Sequence, residues 1–145
     1  LVASCDLALA AESAQFSTPG VHIGLFCSTP MVALSRNVSN KHAMEMLLTG
    51  DMTSAARAAE IGLVNRVLSE DMLQAAVLEM AGKIASKSSM TLATGKRAFY
   101  AQREMSLSQA YDYASQVMVD NMMARDAEEG IGAFIEKRQP RWQDA

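Results

Sequence analysis

Residues 16–30 read Phe-Ser-Thr-Pro-Gly-Val-His-Ile-Gly-Leu-Phe-Cys-Ser-Thr-Pro, a composition that can hold backbone groups open to a ligand. Gly20 and Gly24 let the main chain turn or approach another group closely, and Pro19 pins the torsion ahead of the first of them. Loops of this kind, held by rigid neighbours, are where binding and catalytic groups tend to sit. The same composition also suits an ordinary Gly/Pro turn between two elements. Cys5 and Cys27 have no CxxC or Cys/His spacing around them. They are expected to be buried small apolar residues in a reducing compartment, with no metal centre. Glu45 and Asp51 read as isolated surface charges.

The elements that must position this stretch follow from periodicity. Residues 6–12 mix apolar residues with alanine and read as a buried strand, residues 12–15 as its turn, and Phe16 as the start of a second extended piece. Thr29 and Pro30 look like an N-cap and a first helical residue, with Met31, Leu34 and Val38 at helical spacing behind them. Asn40 can cap a helix whose stripe is Ala43, Met44, Leu47 and Leu48 and which Gly50 ends. Residues 55–61, ending at Gly62, form a short alanine-rich helix, with Thr53 ahead of it in an incomplete capping box. Residues 63–68 carry β-branched Val64 and Val67 and make the clearest strand. Four amphipathic helices are expected next, starting near Ser69, Ser88 or Ser89, Ser106 and Asp126, the last covering 127–137. Met118, Met122 and Met123 read as core or subunit interface, and Arg138, Arg141 and Trp142 as a tail packed on the helices.

The composition excludes several classes. The chain has 145 residues, half of them apolar, which suits one domain with a sizeable core. Its formal charge is −3 with basic residues scattered except near the end, so the footprint of a nucleic-acid binder is missing. The apolar runs are a few residues long and broken by charges, so no membrane span is expected. The chain opens at full apolar stride with Leu1 and no targeting segment, as a piece of a longer polypeptide would. Any targeting region is then expected upstream, and the compartment is the cytoplasm or the mitochondrial matrix.

Five segments taken together resemble the crotonase, or enoyl-CoA hydratase/isomerase, superfamily. They are Ala3-Ser-Cys-Asp-Leu-Ala-Leu-Ala-Ala, Phe16-x-x-Pro-x-Val-x-Ile-Gly-Leu, Ala43-Met-Glu-Met-Leu-Leu-Thr-Gly, Ala55-x-x-Ala-x-x-x-Gly-Leu-Val-Asn-Arg-Val and Glu128-Glu-Gly-Ile-x-Ala-Phe-x-Glu-Lys-Arg. Each is weak alone, but they occur in the family's order and spacing across nearly the whole chain. One run departs: Phe26-Cys-Ser-Thr-Pro-Met stands where the family more commonly has Pro-Gly-Ala-Gly-Gly, which points to one branch of the superfamily.

The resemblance implies an α/β fold, a crotonase-like spiral of ββα turns with a C-terminal helical trimerisation region. Residues 1–68 would be the second part of the spiral core and 69–145 the helical oligomerisation region of a single domain whose first half lies elsewhere. The helix tail expected over residues 1–5 belongs to the same picture. The implied ligand is an acyl-coenzyme A thioester, with coenzyme A entering as part of the substrate and no separate cofactor, and the implied assembly is a homotrimer or a dimer of trimers. The family's shared chemistry holds a thioester enolate with two preplaced backbone N–H donors, worth on the order of several kcal/mol. Both donors would lie upstream of Leu1.

Family hydratases also use two glutamates to deliver and remove protons. One falls just before Leu1, and the other belongs directly after the proline of Phe-x-x-Pro, where this chain has Gly20. The nearest ionisable neighbour is His22, which by strand alternation would share the face of Gly20 and serve as a substitute base, or else have a surface or packing role. By resemblance the substrate pocket takes in Pro19, Gly20, Val21, Gly24, Leu25, Phe26 and Ser28. Phe134 and Lys137 would lie near the coenzyme, Lys137 either pairing with phosphate or serving as a solvated basic helix terminus. Three activities fit: an enoyl-CoA hydratase or isomerase with an altered proton-transfer site, a decarboxylase or thioester hydrolase that needs only the enolate pocket, or a non-catalytic acyl-CoA-binding scaffold.

Overall fold

The structure is a computed structural model that describes residues 1–144. Its contacts divide the chain into two compact units, Leu1–Glu79 and a second that begins at Met80.

In the first unit a short 3-10 turn, Val2–Ser4, precedes strand β1, Leu9–Ala11. β1 pairs in parallel with β4, Arg66–Leu68, in the register Leu9 to Arg66, Ala10 to Val67 and Ala11 to Leu68. A parallel pair needs a long crossover. Here it contains β2, Gln15–Phe16, helix α1, Ser28–Leu34, helix α2, Asn40–Thr49, β3, Thr53–Ser54, and helix α3, Ala55–Glu60. β2 and β3 form an antiparallel ladder with Phe16 opposite Thr53. Ala10, Leu34, Ala43, Met46, Leu47, Ala55, Ala58 and Val64 meet in one core, small alanines letting the helix backbones come close to the strands. α4, Glu70–Ala85, runs across the division between the units.

Several expected helix starts are corrected by one or two residues, and only at α3 does a side chain reach a free N–H group at the corrected start. α1 starts at Ser28 with Cys27 in the capping position, ahead of Thr29. Ser39, not Asn40, precedes α2. α3 is capped by Ser54, whose hydroxyl accepts from the Arg57 N–H at 3.2 Å, while Thr53 is in a strand. The long strand expected over 63–68 shortens to three residues because Leu63 and Val64 turn inward, their N–H groups bonded to the Ala58 carbonyl.

Residues 19–23 are not extended. Pro19–Ile23 form a 3-10 turn, which Gly24 ends in the left-handed conformation at φ 77°. At three residues per turn, positions 20 and 22 point in different directions, so the alternation argument for His22 fails. Cys5 is exposed, not buried, its thiol reaching only the Leu1 carbonyl.

The second unit is helical. α5, Ser89–Gln102, is capped by Ser88, and α6, Leu107–Met122, opens on a capping box between Ser106 and Gln109. α7, Arg125–Ile135, starts before Asp126, which is 2% exposed and is no cap. The Asp126 carboxylate instead accepts from the backbone N–H groups of Gln143 at 2.7 Å and Asp144 at 3.1 Å, so the tail itself buries it. Trp142 Nε1 donates to the Ser86 carbonyl at 2.8 Å, and a Cβ added at Gly130 would sit 3.3 Å from its ring. Met118, Met122 and Met123 are exposed, so a core role within this chain is excluded.

Candidate functional site

The turn at residues 19–23 is held from below by Thr18. This residue is nearly buried, and its hydroxyl donates to the Met46 carbonyl of α2 at 2.8 Å. Beside the turn lies a cavity of about 450 Å³, walled on its apolar side by Phe16, Pro19, Cys27, Pro30, Ala33 and Leu34. The helical spacing of Pro30, Ala33 and Leu34 turns one face of α1 into that wall. Ser4, Gln15, Thr18 and Thr29 supply its polar groups. Among the described lining residues there is no Asp, Glu, His, Lys or Arg side chain.

Gly20 is closed in by backbone. A Cβ built there would be 2.5 Å from the Leu25 carbonyl oxygen and 2.8 Å from the Cys27 sulfur. The loop is drawn this tight because the Leu25 N–H donates to the Gly20 carbonyl at 2.9 Å and the left-handed Gly24 reverses the chain between them. His22 points elsewhere, with Nε2 3.3 Å from the Gly50 carbonyl oxygen, and does not line the cavity.

Of the residues expected to form the pocket, Pro19 lines the cavity and Gly20 backs onto Cys27. Val21, Gly24, Leu25, Phe26 and Ser28 are not among the lining residues; Leu25 and Phe26 are exposed, and the Ser28 hydroxyl donates to the Phe26 carbonyl. Sequence reasoning missed Thr18, the α1 face and the wall position of Cys27. The i, i+3, i+4 spacing of Pro30, Ala33 and Leu34 is the signal that could have found that face, where Met31, Leu34 and Val38 were expected to lie together.

Phe134 and Lys137 belong to the second unit. Phe134 is 84% exposed, and Lys137 lies past the end of α7 with φ 55°, in the left-handed region. A cleft of about 630 Å³ runs along Glu129, Arg138, Gln139, Pro140, Arg141 and Gln143. It is larger than the first, but of its two arginines Arg138 is already engaged. Arg138 donates through Nη1 and Nη2 to both Glu129 oxygens at 2.6 and 2.9 Å, and through Nε to Glu136 at 2.5 Å. Those hydrogen bonds hold the Glu129 carboxyl down at about 2 and raise the Arg138 guanidinium further. The cavity beside Gly20 is therefore the better candidate for a ligand that is largely apolar.

A parallel strand pair joined through a glycine-rich turn and three helices, with a cavity beside that turn and helices following, is an α/β layout. The family profile described as enoyl-CoA hydratase/isomerase matches residues 1–145, and the chain belongs to that family. Its fold is of the crotonase type. The crystal structure of enoyl-CoA hydratase from Mycobacterium smegmatis superposes with a TM-score of 0.95 at 49% identity, covering 97% of this chain and 55% of that one. That of human enoyl-coenzyme A hydratase domain-containing protein 3 gives 0.94 at 50% identity, with 97% and 56% covered. The rat enoyl-CoA hydratase domain-containing protein 3, mitochondrial, is 52% identical over 142 residues, 98% of this chain and 47% of the relative. The chain thus spans about half the length of the curated relatives it matches.

Proposed function

We propose that the cavity beside Pro19 and Gly20 receives the acyl part of a coenzyme A thioester, in an enoyl-CoA hydratase/isomerase-type protein that works through a stabilised thioester enolate. In this reading coenzyme A arrives with the substrate, and Gly20 stands where hydratases of the family carry their second glutamate. The observation that carries it is a lining with shape and polar rims but, among the described residues, no carboxylate, imidazole, amine or guanidinium side chain. His22 supplies none of these, since its ring is turned to Gly50.

The same observation favours a second reading, in which the enolate pocket serves decarboxylation or thioester hydrolysis, or binds acyl-CoA without turnover. Crotonyl-CoA hydration by the full-length protein separates them. Slow or absent hydration with retained acyl-CoA binding is expected, hydration at ordinary hydratase rates removes the argument from Gly20, and absence of any acyl-CoA binding removes the enzyme class. A screen of malonyl-type and simple acyl thioesters then divides the remaining readings.

Phe134 and Lys137 are assigned in this proposal to the coenzyme, next to a neighbouring copy. Exposed Phe134, Ile135, Met118 and Met122 support a trimer or dimer of trimers, which light scattering at micromolar concentration checks. The mitochondrial relatives support the mitochondrial alternative for its location.

A further inference from the structure

At residue 20 the wall of the cavity is built by other residues. Two groups occupy the space beside the Gly20 α-carbon, the Leu25 carbonyl oxygen and the Cys27 sulfur. Only the sulfur belongs to a side chain, and of the two residues only Cys27 lines the cavity. Its place is fixed from several sides. Cys27 stands at the N-cap position of α1, its carbonyl accepts from the Met31 N–H at 3.0 Å, and it packs partly buried against the core. Its neighbours in the wall, Pro19 and Pro30, have little conformational freedom to yield. A thiol packs as a small, polarisable apolar group, so what a ligand meets at this point is narrow, greasy and unable to act as a strong hydrogen-bond partner.

We propose that Cys27 is a specificity-determining residue of this cavity, standing in the wall in place of a residue-20 side chain and setting how large an acyl group fits beside it. The inference rests on the reading of the cavity as an acyl-CoA site. It asks nothing covalent of the thiol. One methylene more or less in a well-fitted apolar pocket changes discrimination roughly 10–200-fold, so residue 27 is a sensitive place to alter it.

The test uses full-length protein and calorimetric binding of butanoyl-CoA, octanoyl-CoA and free coenzyme A. Cys27→Leu adds bulk to the wall and is expected to weaken octanoyl-CoA at least about tenfold relative to free coenzyme A. Cys27→Ala is expected to move the octanoyl-to-butanoyl ratio the opposite way, with free coenzyme A unchanged. Equal changes for all three ligands, or none, overturn the assignment and leave Cys27 as packing. Wild-type protein that binds none of the three overturns the acyl-CoA reading as well, which separates the two failures. If the leucine variant does not fold, alkylation of Cys27 in the wild type, read by peptide mass spectrometry, decides the matter. Octanoyl-CoA at saturation should slow it at least fivefold where free coenzyme A does not, and equal rates with the two ligands refute the proposal.

Discussion

Replacing Gly20 by alanine tests the most consequential geometry in the molecule. The added Cβ would fall 2.5 Å from the Leu25 carbonyl oxygen, about 0.9 Å short of the 3.4 Å at which ordinary contact begins. The sulfur of Cys27, 2.8 Å away, can rotate aside, but the carbonyl is main chain. It can retreat only by opening the loop, and the Leu25 N–H to Gly20 carbonyl bond at 2.9 Å opposes that. Losing that bond costs about 1 kcal/mol and overpacking about 1–3 kcal/mol, so Gly20→Ala is expected to destabilise by roughly 2–4 kcal/mol. In a full-length protein this lowers Tm by on the order of 10 °C, read by thermal unfolding. Adding Cys27→Ala should recover only a small part, because the nearest clash is with backbone. Gly20→Glu should neither fold better nor gain hydratase activity. A Gly20→Ala protein within about 0.5 kcal/mol of wild type in a urea titration would refute the reasoning and reopen residue 20 as a site for a side chain.

Two further outcomes concern the helical unit. Glu129 is held at about 2 by Arg138, against an ordinary 4.5, so the folded state keeps it ionised. Its contribution is present above pH 4.5 and is lost as pH falls from there toward 2; Glu129→Gln should flatten that part of the stability-against-pH curve, while an unchanged slope would contradict the assignment. Asp126→Ala strips two backbone N–H groups of the tail of their acceptor. A loss of roughly 2–4 kcal/mol is expected, with faster hydrogen exchange at Gln143 and Asp144 as the local signature.

The helices of this chain were legible because their signals are local. Ser88, Ser106 and Gln109 carry cap chemistry within four residues of the N–H groups they satisfy, and Gly50 ends α2 in the left-handed conformation that only glycine adopts cheaply. Gly62, just past the end of α3, likewise takes the left-handed conformation, at φ 82°. The strands were read less well. Residues 63–68 contain a strand of three residues, because Ala58 lies near enough to draw the N–H groups of Leu63 and Val64 out of the ladder.

What tertiary structure alone decided is where unlike segments meet. Ala10 faces Val67 across 56 intervening positions, and no period in either segment specifies that register. The identity of residue 20 was plain in the sequence, but the reason only glycine fits lies in the carbonyl of Leu25, brought back by a turn whose 3-10 geometry reversed the expected direction of His22. Asp126 was read as a cap from its neighbours and is instead buried by a tail seventeen and eighteen residues further on. Periodicity and capping report how a chain satisfies its own nearby backbone. Burial and cavity walls are set by which distant groups compete for the same space, and that competition is resolved only once the chain has packed.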